Sequence, residues 1–571
     1  MDDKPAKDRP TTYGSAGEED VAKDLIRETD AVKDVRDVFT IDEAMEKLGF
    51  GFFQILITIF CGLVWLADAM ELMILSVLAP LVKCDWNLSA SDEANITTVV
   101  FLGFLVGALF WGSISDIFGR RTSLGLCAVL ILIFGLLSAA PVPNTKQFGY
   151  PWLLVCRFGV GIAAGGSSQS VTYYSEFLPK KARGVCIVLL DLYWGLGSVF
   201  GSLLAFAVVE RLGWRWYLAM AATPLALVLF FLPFIPESAR FYMIQGKGAQ
   251  AKKVMDKVAW FNRKKPLMGK LVSQEEKEQL IKNAATSAGS TATSLEDSPM
   301  LLSRNGVHLN GSQDTEEDLK DKEPLIGGGG DQSPRVQRRT LSAKIHHQMK
   351  VFNTLFTKGM WKTTVLLLLI WFGCALLYYG VVLLTTSILV ENTHCGVVNT
   401  TVCNATYENC TCKAFGQNDY LYMTWTSAAE FPGIFLTLLI IELIGRKITM
   451  AVEFFGCVAG FLLLLWCVPK AVTTMFLFLI RGLATGAFQA AYAYTPEVYP
   501  TNVRAIGMGV NVAAARLGAI VTPYVAQVSY DVNFAIPIGL YAGISLLVGF
   551  ASLALPFETK GKSLKDGVAN H

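Results

Sequence analysis

Charge is scarce in this chain. Asp, Glu, Lys and Arg make up 17% of its 571 residues while 53% are hydrophobic, against about 25% charged in an ordinary soluble domain. That balance excludes a soluble fold of this size, because so much apolar surface needs a bilayer to cover it. Histidine is rarer still, at five residues, and no grouping of His, Cys, Asp and Glu has metal-ligand spacing. A Walker loop and a hydrolase triad are also missing, so the sequence gives no reason to expect an enzyme, a cofactor or a nucleotide-driven pump. The net charge of +2 carries no message about nucleic acid. Residues 1–40 lack the apolar core of a signal peptide and read as a disordered, polar tail.

What the chain does have is repetition. Gly112-Ser-Ile-Ser-Asp116-Ile-Phe-Gly119-Arg120-Arg121 is a basic, glycine-punctuated turn between two apolar runs. A fainter copy, Glu442-Leu-Ile-Gly445-Arg446-Lys447, follows about 325 residues later with acid, glycine and cations at the same relative spacing. Any short loop can carry a glycine and cations to fix topology. Two matched copies instead point to two like halves, each a bundle of membrane helices. Apolar runs near 53–80, 94–115, 122–141, 151–172, 184–207 and 215–235 give six predicted spans. Six more fall near 362–390, 419–441, 448–468, 472–494, 505–528 and 533–555. The class is all-α and integral to the membrane, with twelve transmembrane helices in two pseudo-symmetric six-helix halves.

The flanking segments divide accordingly: a tail over 1–52, halves over 53–235 and 362–556, a linker over 236–361 and a final tail over 557–571. Thr40-Ile-Asp-Glu43 reads as a capping box opening a short helix, whose Ile41, Ala44 and Leu48 suit the membrane surface. The charged, Ser/Gly-rich linker reads as largely disordered. Lys180, Lys181, Arg183 and Arg504 join the two basic turns on one side, and the positive-inside rule makes that side, with both termini, cytosolic. The segment 391–418 then faces outward. It carries sequons at Asn399, Asn404 and Asn409 and the cysteines Cys395, Cys403, Cys410 and Cys412, while Asn87 and Cys84 lie in the first outer loop. Sequons and clustered cysteines fit an oxidising, glycosylated face; free thiols remain the alternative, and the pairing is open.

Further echoes extend the repeat. Arg157, Gly161 and Gly165 match Arg481, Gly482 and Gly486; Glu176 and Arg183 match Glu497 and Arg504; Pro236-Glu237-Ser-Ala-Arg240 matches Pro556-Phe-Glu558-Thr-Lys560. These motifs resemble the major facilitator superfamily over nearly the whole chain, in particular its sugar-porter and organic-ion branches. Trp65-Leu-Ala-Asp68-Ala-Met-Glu71, Tyr378-Tyr379-Gly380, Glu430-Phe-Pro-Gly433 and Phe488-Gln489-Ala-Ala-Tyr492 are similar to its vesicle-membrane group, relatives of the synaptic vesicle glycoproteins. Glu442 departs from the superfamily pattern, where aspartate is more usual.

The resemblance implies a secondary transporter of a small, charged organic solute, without a cofactor, moved by alternating access, with protons as the candidate coupling ion.

 It also implies the line of alternatives that belong to the vesicle group: a transporter-like protein that senses a ligand, adenine nucleotides among them, or serves as a trafficking partner without net transport. An organic-ion transporter of the plasma membrane is the third reading. In the superfamily, Asp116 sits by the start of the eleventh span. By the same resemblance Asp116, Arg120, Arg121, Glu176, Arg183, Glu237, Arg240, Glu442, Arg446, Glu497, Arg504 and Glu558 form a cytosolic gate.

Charges inside the spans are the next signal, since each unpaired one costs on the order of 2.5–3.5 kcal/mol at the bilayer centre. Asp68 and Glu71 are three apart and share a helix face, which suits proton coupling or cation binding. A structural ion pair with Arg157 or Arg516 is the competing account. Asp191, Glu430, Arg157, Arg481 and Arg516 are further candidates, and the resemblance puts all of them on cavity-lining spans. Tyr193, Trp194, Tyr378, Tyr379 and Tyr492 are the cavity aromatics expected to favour an organic cation, though packing alone would also explain them. In the linker, Asp297 precedes Leu301-Leu302 and Asp321 precedes Leu325-Ile326, each acid four residues ahead of its apolar pair. Clathrin adaptor proteins read that arrangement in extended peptides, so a synaptic or other cytoplasmic vesicle membrane is the expected location.

Overall fold

Apolar runs as long as a bilayer is thick have no backbone partners in lipid, so they close their hydrogen bonds along helices. The computed structural model describes residues 38–140, 146–282, 352–357, 359–391, 415–466, 468–500 and 503–560. The chain divides into two units. In the smaller, Met1–Phe39 with Val272–His347, the Val272 amide donates to the Phe39 carbonyl and residues 274–282 are helical. The larger, Thr40–Leu271 with Gln348–His571, holds all the long apolar helices.

That unit opens with α1 (Ile41–Leu48), α2 (Phe52–Trp86), α3 (Ala90–Phe118) and α4 (Arg120–Ala139). Then come α5 (Gly149–Ala164), the short α6 (Gln169–Ser175), α7 (Lys180–Leu212) and α8 (Trp214–Phe234). Two short helices follow, α9 (Ala239–Ile244) and α10 (Gly248–Phe261). The second set is α11 (Trp361–Glu391), α12 (Gln417–Ile444), α13 (Arg446–Leu463), α14 (Lys470–Val498), α15 (Ile506–Val532) and α16 (Ala535–Leu553). Ten of these are long and apolar enough to cross a membrane. The segments in the places of the predicted fourth and ninth spans fall outside that test for physical reasons. The fourth is broken into α5 and α6 by a turn over 165–168, and α13 carries Arg446, Lys447 and Glu453.

Within each half, small residues set the spacing. A Cβ on Gly107 would stand 2.1 Å from the Ile162 carbonyl oxygen, and one on Gly161 would stand 2.2 Å from that of Val100, so α3 and α5 touch backbone to backbone. A Cβ on Gly197 would likewise collide with the Leu66 carbonyl oxygen of α2. The glycine runs at 159–166 and 195–201 are therefore packing seams. Helices α7 with α12, and α3 with α15, join the two halves.

Two expectations are corrected. The capping box of α1 forms, with the Glu43 amide donating to Thr40 Oγ1 at 3.4 Å and the Thr40 amide to Glu43 Oε2 at 3.2 Å. Its apolar face, however, buries Ala44, Met45 and Leu48 against protein, on α10 and the start of α7. The linker expected to be largely disordered begins with folded helices. Ala251, Val254, Met255, Val258 and Ala259 of α10 are buried on one face, a helical pattern masked in the composition by intervening lysines.

Candidate functional site

Between the halves lies a cavity of about 650 Å³, part of it open to solvent. From the first half, α2 contributes Trp65 and α7 contributes Asp191 and Trp194; from the second come Tyr378 and Tyr379 of α11, Phe488, Gln489 and Tyr492 of α14, and Arg516 of α15. Trp65 and Trp194 meet edge to face at 5.2 Å between centroids. Asp191 takes Gln489 as its hydrogen-bond partner. Arg516 lies over the Phe104 ring at 4.4 Å and its Nη1 reaches the Tyr379 hydroxyl at 3.4 Å.

One wall is a continuous hydrogen-bonded chain that crosses the halves. Trp194 Nε1 donates to the Tyr378 hydroxyl at 2.6 Å, which donates to Glu430 Oε1 at 2.8 Å. Arg481 closes on the same oxygen from Nε at 3.0 Å and Nη2 at 2.8 Å, and Ser198 Oγ is 3.4 Å from it. Glu430 and Arg481 are buried, so each charge is tolerable only because the other is there.

Asp68 and Glu71, expected to face the central cavity, line a separate, narrow cleft inside the first half, with Ser167, Cys127 and Ile131. Glu71 Oε2 accepts from Arg157 Nη1 at 3.0 Å, and Arg157 Nη2 donates to Ser138 Oγ at 2.9 Å. That pair is the structural bridge weighed as the alternative. Asp68 accepts from Ser167 Oγ at 2.9 Å through Oδ2, while its buried Oδ1 has no partner. Spacing put both acids on one helix face but did not say which neighbours that face meets. Tyr193 also stands apart from the cavity aromatics, because its ring covers Gly62.

At the end bearing the basic turns, two equivalent clusters form, one in each half. Gly119 has φ +101° and Gly445 φ +90°, a backbone that a side chain resists. There the amides of Arg120 and Arg121 donate to Glu237 Oε1 at 2.9 and 3.1 Å. Those of Arg446 and Lys447 donate to Glu558 at 2.8 and 3.0 Å. Each glutamate thus caps a helix N-terminus, where its charge is favoured. Arg120 pairs with Asp116 at 2.7 Å and Glu176 at 3.5 Å; Arg446 pairs with Glu442 at 3.3 Å and Glu497 at 3.1 Å. Burial pushes the Glu176 carboxyl up, opposed by Ser238, Arg120 and Arg240. Arg121 Nε donates to the Leu232 carbonyl and Arg504 Nε to that of Tyr499. Asp116, expected beside the eleventh span, has a side chain 71% exposed and pairs inside its own half. Arg183 and Arg240 both reach Asp42 of α1, a residue the sequence reading passed over.

The opposite end was also missed. There Lys83 of α2 pairs with Glu93 of α3 at 2.9 Å and with Asp531 of α15 at 3.3 Å. Gln527 Nε2 donates to Glu93 Oε1 at 3.2 Å, and the Tyr524 hydroxyl to Asn95 Oδ1 at 2.7 Å. These last two donors stand on a π-helical turn, Tyr524–Val528, whose extra residue re-aims side chains. Glu453, buried in α13 and bonded to Thr437 Oγ1 at 2.5 Å, was missed as well, although a carboxylate in a predicted span was the signal.

Asn87 is exposed at the end of α2, and Cys84 is disulfide-bonded. Asn399, Asn404 and Asn409, with Cys395, Cys403, Cys410 and Cys412, lie outside the described residues, as do Asp297, Leu301, Leu302, Asp321, Leu325 and Ile326.

Comparison with known proteins fits this architecture. The family described as "Sugar (and other) transporter" matches residues 55–303. The synaptic vesicle 2-related protein of Xenopus laevis is 38% identical over 93% of this chain and 83% of its own length. Organic cation/carnitine transporter 7 of Arabidopsis thaliana is 34% identical over 93% of this chain and 97% of its own. In structure, the partially occluded, inward-open xylose transporter XylE from E. coli aligns with a TM-score of 0.61 at 17% identity, covering 90% of this chain and 99% of that one. The chain belongs to the major facilitator superfamily, within the family of the synaptic vesicle 2-related proteins.

Proposed function

We propose that the chain is a secondary active transporter that carries a small, charged organic solute by alternating access in a vesicle membrane. One observation carries the reading. The cavity sits between the halves, cross-half polar contacts join them at the end away from the basic turns, and among the described residues each ion pair at the basic end stays inside a single half. With the basic end cytosolic, that is the pattern of an inward-facing state, and reversing it requires only that halves rock about the cavity. The solute class is supported by Asp191 and Arg516 in the cavity wall, and by a relative whose name refers to organic cations and carnitine. Proton coupling is carried by Asp68, whose unpartnered oxygen stands in a cleft off the main cavity. The vesicle location rests on the relatives' names and on the two linker motifs.

The test is uptake from a mixed metabolite extract into liposomes holding the purified full-length chain, under an imposed pH gradient. Accumulation of a charged solute that collapses with the gradient, and falls in Asp68→Asn, is the expected result. Ligand binding without accumulation of any solute would replace transport with the sensor reading.

A further inference from the structure

We propose that α10 is a membrane-surface helix that binds anionic phospholipid headgroups of the cytosolic leaflet. The surface lies outside the central cavity and does not depend on which solute the chain carries.

Position comes first. Lys257 Nζ of α10 donates to the carbonyl of Phe234, the last residue of α8, at 3.0 Å. Just past the C-terminus of α10, Asn262 Oδ1 accepts from the Phe53 amide at 2.9 Å and its Nδ2 donates to Gln54 Oε1 at 2.9 Å, both in the first turn of α2. The helix is thus fastened across the ends of two apolar spans that pack together. Phe52 and Phe234, at those ends, are 56% and 66% exposed, so the lipid-facing surface runs up to α10 on both spans. Helix α10 therefore takes the membrane-surface place expected for α1.

Its outer face has the matching chemistry. Residues 247–270 hold eight cations and one acid, Asp256. Opposite the buried face, Lys253, Lys257 and Trp260 recur at helical spacing as one stripe, with Trp260 73% exposed. Arg263 follows at φ +54°, where glycine would sit without strain, so a cation is held there at a conformational cost. Among the described residues no carboxylate lies in ion-pair contact with Lys253, Lys257, Arg263, Lys264 or Lys265, whereas Arg183 and Arg240 at the same end both find Asp42.

Lysines that lift their ammonium groups to phosphate level, beside a tryptophan at headgroup depth, are how a helix rests on a bilayer. The cytosolic leaflet is the anionic one, and each nearby lysine or arginine adds about fivefold to the attraction, the equivalent of about 1 kcal/mol. An acidic peptide would satisfy the cations but leave Trp260 and the neighbouring phenylalanines in water.

The test compares the full chain in nanodiscs of phosphatidylcholine alone and of phosphatidylcholine with about one-fifth phosphatidylserine. Hydrogen exchange over residues 248–265 should slow at least about fivefold on the anionic lipid, and the gain should vanish in about 0.5 M salt. The combined Lys253→Gln, Arg263→Gln and Lys265→Gln variant should lose the gain, while Lys253→Arg with Lys265→Arg keeps it. Exchange in α2 and α7 reports whether each variant is folded, and the salt series on the unaltered chain needs no variant. Lipids brominated on the acyl chains should quench tryptophan emission by an increment missing from Trp260→Phe. Equal exchange in the two nanodiscs, or quenching that is the same with and without Trp260, overturns the proposal. Equal protection from free glycerophosphoserine added to neutral nanodiscs overturns it in favour of a soluble anion. Strong protection already present on neutral lipid, without quenching, overturns it in favour of a covering protein segment.

Discussion

The least replaceable side chains are those buried with a single opposite charge. Glu430→Gln leaves the Arg481 guanidinium inside the protein with no carboxylate, a loss of about 3–5 kcal/mol for a broken buried pair. The melting midpoint of the purified protein should drop by several degrees, and Arg481→Met in the same chain should recover most of it. A double variant as unstable as the single one would mean that the pair is not what holds this region. The sequence disclosed that such charges exist, because a carboxylate in an apolar run stands out. It did not disclose their partners. Asp68 and Asp191 look alike in sequence, yet one lines the cleft of the first half and the other the central cavity. That choice depends on how each helix is rotated against neighbours distant in the chain.

Helices were legible to the degree that their pattern was one-dimensional. The long apolar runs became α2, α3, α4 and their counterparts, and the paired basic turns fell between them. The break between α5 and α6 was hidden, because glycines that pack a helix closely look like glycines that interrupt it. Helix α10 was hidden by its lysines. Its partner α1 carries Asp42, which reaches Arg183 and Arg240 across from the first half's basic loop. Those side chains are partly exposed, so each contact is worth about 0–1 kcal/mol. Asp42→Asn should therefore leave the membrane helices intact and raise hydrogen exchange in residues 40–49 by about fivefold, the factor that corresponds to roughly 1 kcal/mol. Unchanged exchange there would assign the docking of α1 to its apolar face alone.

For the molecule as a whole, the two ends should respond with opposite signs. At the far end Lys83 is shared between Glu93 of its own half and Asp531 of the other. Lys83→Gln removes the cross-half attraction and leaves two carboxylates facing each other, so the closed far end is weakened on both counts. At the basic end Asp116 is exposed and, among the described residues, paired with Arg120 alone, which keeps Glu176. Removing that charge costs the present state little, whereas the closed basic end, where the resemblance brings Asp116 beside the eleventh span, would lose a contact. Asp116→Asn should thus favour the inward-facing state and Lys83→Gln the outward-facing one. Distances between spin labels placed across each end, measured in nanodiscs, report both populations together. Closing of one end should accompany opening of the other. Shifts of the same sign in the two variants would break the rocking scheme, because then the ends would not be coupled through the cavity.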